Sequence, residues 1–159
     1  MITVVQRVSR AEVRVAGEAV GRIGGGLLLL VGVEKGDEAS DADATARKVA
    51  ALRVFPGRTP MDLTVAESGG GCLVVSQFTL AASLRKGNRP SFDGAEDPSR
   101  AESLYRRVAE VLREGGLRAE TGVFGAAMEV DLVNDGPVTF LLRVRGGRVV
   151  EEGRADGGP

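Results

Sequence analysis

Residues 27 to 33 of this chain read Leu-Leu-Leu-Leu-Val-Gly-Val, directly after Gly24-Gly25-Gly26. The run is continuous rather than alternating, and it is too short for an ordinary helix. It predicts a strand buried on both faces, which needs a layer of structure on each side. A chain of 159 residues, 43% of them hydrophobic, is long enough to supply both layers within one domain.

The neighbouring segments supply candidate partners. Val4, Val13 and Val15 lie in short runs of period two, and Ala16-Gly17-Glu18 reads as a turn between Val13-Arg14-Val15 and Ala19-Val20. Leu73 to Phe78 reads as a further strand, entered through Ser68-Gly69-Gly70-Gly71. Met128 to Leu132 alternates apolar with acidic residues, Asn134-Asp135-Gly136-Pro137 interrupts, and Val138 to Val144 resumes, so two strands around a Gly-Pro turn are expected. An X-Pro bond is trans in most proteins, and on the residues alone Pro137 reads as an ordinary trans turn.

Two helices complete the pattern. Between Asp37 and Arg53, Ala42, Ala46, Val49 and Ala50 fall at helical spacing, with Ser40 and Asp41 as candidate caps. The second helix follows Asp97 as cap and Pro98 at its first position. Ala101, Leu104, Tyr105, Val108, Val111 and Leu112 form its apolar stripe, and Gly115-Gly116 ends it. Its other face carries Arg100, Arg106, Arg107 and Arg113. From Gly146 the composition turns to Gly, Arg and Glu; Val149 and Val150 suit a short edge strand, with disorder expected beyond. The domain is therefore drawn at 1–145, with an extension at 146–159.

The histidine count is zero, which removes Ser-His-Asp and Cys-His catalysis. With one cysteine and no histidine, neither an internal disulfide nor an ordinary zinc site is available, and neither a metal nor a cofactor is expected. Cys72 opens an apolar strand and reads as a buried structural thiol. A net charge of -1 gives no global field toward nucleic acid, so any RNA contact must be local. No segment approaches a membrane span or an export signal, and the expected location is the cytoplasm.

Two segments invite chemistry. Ser76-Gln77-Phe78-Thr79-Leu80 places polar side chains at the end of an apolar strand, where backbone amides could also face a ligand; on the residues alone, ordinary strand-end polarity is the commoner explanation. Arg85-Lys86-Gly87-Asn88-Arg89-Pro90-Ser91-Phe92 is a basic loop with an aromatic residue, suited either to a phosphate backbone and a stacked base or to plain solvent. The glycine-rich segments at 21–26 and 68–71 lack the residues of a phosphate loop and read as turns.

Six segments, in order, resemble the signature of D-aminoacyl-tRNA deacylases. They are Gln6-Arg7-Val8, Gly32-Val33-Glu34-Lys35, Ser76 to Leu80, Arg89-Pro90-Ser91-Phe92, Thr121-Gly122-Val123-Phe124 and Asn134-Asp135-Gly136-Pro137-Val138-Thr139. The resemblance runs from Met1 to about Val144. One departure lies between Phe55 and Val65: where the family has an Asp-containing loop leading to Gly-Lys-Met-Asn, this chain has Pro56-Gly57-Arg58-Thr59-Pro60-Met61-Asp62, without the lysine and with Asp62 for the asparagine.

The resemblance implies an α+β fold, a barrel-like antiparallel sheet with two main helices, paired as a homodimer. It implies hydrolysis of the ester of D-aminoacyl-tRNA, and of glycine mischarged on tRNA(Ala), with the aminoacylated 3′ end of tRNA as partner. In such a site Ser76, Gln77, Phe78 and Thr79 receive the terminal adenosine and its aminoacyl group. Gly136, Pro137, Val138 and Thr139, with a cis Gly-Pro bond, enter from the other subunit and reject L-amino acids. Backbone amides at Phe78 and Thr79 and the substrate's own 2′-hydroxyl carry the chemistry; a Thr79 nucleophile is the weaker option, since no base is evident to deprotonate it. The rival readings are a generic Thr/Ser esterase and an RNA-binding module without catalysis.

Overall fold

The computed structural model describes residues 1–151. In chain order the elements are β1 (Ile2–Val15), β2 (Glu18–Ile23), β3 (Gly26–Gly32), α1 (Ala39–Ala51), β4 (Gly71–Ser76), a 3-10 turn (Phe78–Ala81), α2 (Pro98–Glu114), β5 (Ala119–Thr121), β6 (Glu129–Arg145) and β7 (Arg148–Val149). The strands form one sheet in the order β5-β4-β3-β1-β6-β7, with β2 attached to β1.

β1 serves two neighbours along one edge. Its first half, Ile2 to Val8, pairs with β3, and its second half, Ala11 to Val15, pairs with β2, while β6 runs along its other edge. β2 is thereby carried toward β5, where the Arg22 N–H donates to the Glu120 carboxylate at 2.6 Å and the Arg118 guanidinium donates to the Arg22 carbonyl at 3.2 Å. The backbones pass so closely that a methyl group on Gly21 would stand 2.5 Å from the Thr121 carbonyl oxygen. The sheet curls into a half-barrel as a result.

The sheet is mixed, which corrects the expectation of a wholly antiparallel one. β3 pairs with β4, and β4 with β5, in parallel. The reason is the connections: α1 lies between β3 and β4, and α2 between β4 and β5. A helical crossover returns the chain to the same end of the sheet, so the strands it joins run the same way.

Period-two alternation sorts the leucine run between two cores. Leu27, Leu29 and Val31 pack under the helices with Val49, Val108 and Leu112, whereas Leu28 faces the half-barrel interior with Val8, Val13, Leu73 and Val75. The four leucines thus serve both layers, as the unbroken run predicts. α2 buries the expected stripe, except that Val111 is half-buried and Ala109 lies in the core. Its arginine face is largely neutralised, because Arg100, Arg106 and Arg107 pair with Glu96, Glu102 and Asp43 at 3.2, 2.6 and 2.7 Å.

Three local expectations are revised. Helix α1 is capped at Glu38 rather than at Ser40 or Asp41; Asp41 sits three residues on, where its carboxylate accepts the N–H groups of Glu38 and Gly147, each at 2.8 Å. β6 is one continuous strand rather than two. Its ladder to β1 slips on each side of Val8, with Gln6 opposite Thr139 and Val8 opposite Asn134. The Gly-Pro segment is therefore a bulge within a strand, where a proline without an N–H is tolerated. The edge strand at the C-terminal end is Arg148–Val149, one residue earlier than expected; the disorder expected further on falls on 152–159, outside the described residues. No helix among the described residues is long and apolar enough to cross a membrane.

The fold is closed at its N-terminus by a buried charge. The Met1 ammonium, with its residue 0% exposed, donates to Asp37 Oδ1 at 2.7 Å and to the Val144 carbonyl at 2.8 Å. Burial pushes the Asp37 carboxyl above the usual carboxylate range, against the opposing pull of the ammonium. Placing Gly-Ser before Met1 replaces the ammonium by an amide and leaves Asp37 without its cation. Breaking a buried pair costs about 3 kcal/mol or more, so the extended chain is expected to melt about 6 to 12 °C lower by calorimetry. An unchanged melting temperature would show that the pair contributes nothing.

Candidate active site

β4 ends where the cavity begins. The N–H of Gln77 donates to the Val31 carbonyl at 2.8 Å, which extends the ladder with β3 one residue past Ser76. The chain then tightens: Leu80 N–H bonds the Gln77 carbonyl at 3.1 Å and Ala82 N–H bonds that of Thr79 at 3.1 Å. The expected strand from Leu73 to Phe78 thus stops at Ser76, and Phe78 and Thr79 open a 3-10 turn. The first amides of such a turn have no preceding helical carbonyl to bond, so those of Phe78 and Thr79 are free to face a ligand.

The turn can sit so close to β3 because Gly32 lacks a side chain. A methyl group there would lie 2.8 Å from Leu80 Cβ and 3.0 Å from the Gln77 carbonyl oxygen. Below it, the Tyr105 hydroxyl donates to the Val74 carbonyl at 3.0 Å and ties α2 to β4. Cys72 at the other end of β4 is fully buried, and burial pushes its thiol up to about 12, consistent with a structural thiol.

A cavity of about 450 Å³ adjoins this strand end, within the size range of small-molecule sites. Ser76, Gln77 and Phe78 line it from one side, and Phe124, Gly125 and Met128 from the other. Thr79 follows at the rim, where its hydroxyl accepts a hydrogen bond from the Gln77 amide. Phe78 is 56% exposed and leans on Phe92, with ring centroids 5.1 Å apart. Glu96 also contributes to the wall. Its carboxylate accepts the Asp97 N–H at 2.9 Å and pairs with Arg100 at 3.2 Å. These contacts, the Asp97 amide foremost, hold it below the usual carboxylate range, which makes it a poor base.

Sequence reasoning missed Glu96 and the small-residue wall of Gly125 and Ala126 as lining groups. The segment Thr121 to Phe124 was legible as a motif, but no pattern in it announces a cavity wall.

Gly136, Pro137, Val138 and Thr139 do not line this cavity, although Val130, near the start of the same strand, does. The Gly136-Pro137 peptide bond is cis, where the residues alone suggested trans and the resemblance implied cis. The bulge is pinned from three sides: Asn134 Nδ2 donates to Thr139 Oγ1 at 2.9 Å, Arg7 Nε pairs with Asp135 at 3.0 Å, and Val138 is buried in the core. Arg7 is itself held by its bond to the Val54 carbonyl at 2.7 Å. Gly136 has φ +121°, and a methyl group there would stand 2.7 Å from Val138 Cγ2 and 3.1 Å from Arg7 Nη2. Gly136, Pro137 and Thr139 are exposed, and so are Val133, Phe140 and Leu141 on the same strand. The altered loop at 56–62 plays no part in the cavity wall; Asp62 is engaged by Arg53 at 2.7 Å and by the Arg58 N–H at 2.8 Å.

Comparison with known proteins bears on this arrangement. The profile of the family described as D-Tyr-tRNA(Tyr) deacylase matches residues 4–143. The chain is 59% identical over 146 residues to a D-aminoacyl-tRNA deacylase of Anaeromyxobacter dehalogenans, covering 91% of this chain and 98% of that one. It is 56% identical over 143 residues to the protein of that name from Paracoccus denitrificans, covering 89% and 96%. Among solved structures, one titled c-Myc DNA Unwinding Element Binding Protein superposes with a TM-score of 0.85 at 39% identity, covering 91% and 99%. A probable eukaryotic D-amino acid tRNA deacylase shares the fold, with a TM-score of 0.72 at 15% identity, covering 88% and 97%.

Proposed function

Since the chain belongs to the D-Tyr-tRNA(Tyr) deacylase family, we propose that it hydrolyses the ester joining a D-amino acid to the terminal adenosine of tRNA, releasing the free amino acid and tRNA. The observation that carries the reading is the cavity at the end of β4, which combines an exposed aromatic face with the open amides of a turn. Gln77 and Phe78 orient the adenosine. Water adds to the ester carbonyl, and the N–H groups of Phe78 and Thr79 stabilise the negative charge that develops on its oxygen. The bond from the carbonyl carbon to the ribose oxygen then breaks, and that oxygen leaves with a proton relayed through the neighbouring 2′-hydroxyl.

Chirality is enforced, in this reading, by a second copy of the chain. Gly136 and Pro137 lie outside their own cavity and are exposed on a strand that also exposes Val133, Phe140 and Leu141. Burial of Val133, Phe140 and Leu141 in a homodimer would bring them to the partner's site, where their carbonyls block the direction of an L side chain. A block of this kind leaves D side chains unselected and cannot oppose glycine, which has no side chain. Glycine mischarged on tRNA(Ala) is a substrate on this account, and the cytoplasm is the place of action.

The rivals are less well supported. An esterase with a Thr79 nucleophile needs a base, whereas the Thr79 hydroxyl accepts from the Gln77 amide. An RNA-binding module without catalysis would use the basic loop and the arginine face of α2, but on that face Arg100, Arg106 and Arg107 are engaged in four ion pairs, and such a module leaves the cavity without a role. The deciding assay follows release of labelled D-amino acid from D-aminoacyl-tRNA at catalytic protein concentrations, beside L-aminoacyl-tRNA and a p-nitrophenyl ester. Multiple turnover on the D substrate alone is expected; stoichiometric binding without turnover would favour the binding module, and equal rates on the simple ester the esterase.

A further inference from the structure

The sequence's basic loop, closed at its base by a single antiparallel bridge, adjoins the cavity through the contact of Phe92 with Phe78. Ser83 and Ser91 exchange backbone hydrogen bonds of 2.8 and 3.0 Å, and Gly87, with φ +66°, turns the tip. Between them Arg85, Lys86 and Arg89 are exposed, and they make no ion pair or side-chain hydrogen bond among the described residues. Arg100, Arg106 and Arg107 on α2, by contrast, are all paired. The nearest carboxylate in sequence, Asp93, is already engaged by the Ser91 hydroxyl at 2.7 Å. Phe92 follows the hairpin base directly, and its ring meets that of Phe78 on the cavity wall.

Three free cations on a loop closed at its base, next to an exposed aromatic pair, make the combination by which proteins hold single-stranded nucleic acid: charge for the phosphates, ring faces for the bases. We propose that the hairpin 83–91 binds the phosphates of the single-stranded nucleotides preceding the terminal adenosine, and so guides the 3′ end of tRNA into the cavity. The site is distinct from that for the aminoacyl-adenosine and rests on the deacylase reading for the identity of its RNA. Its charge is local, as a chain of net charge -1 requires.

The test combines Arg85→Ala, Lys86→Ala and Arg89→Ala in one variant and measures two quantities. The first is binding of a fluorescein-labelled RNA stem with a single-stranded CCA end, followed by anisotropy from 25 to 300 mM KCl. Each phosphate neutralised on a single strand contributes a slope of about 0.7 in the plot of log affinity against log salt, so the variant is expected to lose about 2 from the slope. The second is hydrolysis of D-aminoacyl-adenosine, which has no phosphate and whose rate is expected to stay within about twofold of the parent while kcat/KM on D-aminoacyl-tRNA falls about tenfold or more at low salt. An unchanged salt slope would overturn the proposal. So would equal losses on both substrates, which would make the hairpin a support of the cavity. If the parent cleaves neither ester, the deacylase reading fails while the binding slopes still decide the hairpin.

Discussion

A D-aminoacyl-tRNA ending in 2′-deoxyadenosine is expected to be cleaved about 100-fold or more slowly than the ribose form, whereas Thr79→Ala is expected to keep kcat within about tenfold of the parent. The two effects are opposite faces of one argument. The chain has no histidine, and the carboxylate in the cavity wall, Glu96, is held ionised and occupied by Asp97 and Arg100. A proton must still reach the leaving ribose oxygen, and the adjacent hydroxyl of the substrate is the group placed to relay it. A positioned acid or base contributes about 10² to 10⁴ in rate, which sets the size of the expected loss. The Thr79 side chain, accepting a bond from Gln77, contributes position at the rim rather than a nucleophile. Rapid-quench measurement of single turnovers separates chemistry from binding. A dead Thr79→Ala enzyme together with normal cleavage of the deoxy substrate would transfer the chemistry to the threonine.

Gly32→Ala is expected to lower kcat/KM about 100-fold while leaving a folded protein. The added methyl stands 2.8 Å from Leu80 Cβ and 3.0 Å from the Gln77 oxygen, so either β3 or the 77–80 turn must move. β3 is held by ladders on both edges and packed on both faces, whereas the turn is open to the cavity on one side. The turn therefore gives way, and with it the amides of Phe78 and Thr79. A misplacement of about 1 Å at a catalytic group costs about 10²-fold, and overpacking costs about 1 to 3 kcal/mol in stability. Gly24→Ala is the control, because nothing lies within 4 Å of the added methyl. Circular dichroism melts beside steady-state kinetics give the reading. If Gly32→Ala keeps parental kcat/KM, the seating of the turn by Gly32 is not what sets the site.

The residues alone determined the elements wherever local chemistry was unopposed. The Ala16-Gly17 turn, with both φ values positive at +50° and +81°, the cap and proline of α2, and the two-faced burial of Leu27 to Val33 were all legible as patterns. The likeness of six short segments to one family carried the function, because their order across the chain is far more specific than any one of them. What pattern alone left undecided was pairing. Whether β3 meets β4 in parallel depends on the path of α1, and whether β6 is one strand or two depends on a ladder that slips around Val8.

The site shows the same division. Ser76 to Phe78 could be named from the sequence as polar residues after an apolar strand. That Phe124, Gly125 and Glu96 stand across from them follows only once α2 and the loop after β5 fold over the strand end. The Gly136-Pro137 segment could be named too, but its place as a bulge within one continuous strand, held by Arg7, Asn134 and Val138, follows only from the fold. Short-range preferences are written in neighbouring residues, since capping, turns and alternation act over a few positions. Register, direction of pairing and the facing of a cavity wall are set by contacts between segments far apart in the chain, and those energies exist only in the assembled fold.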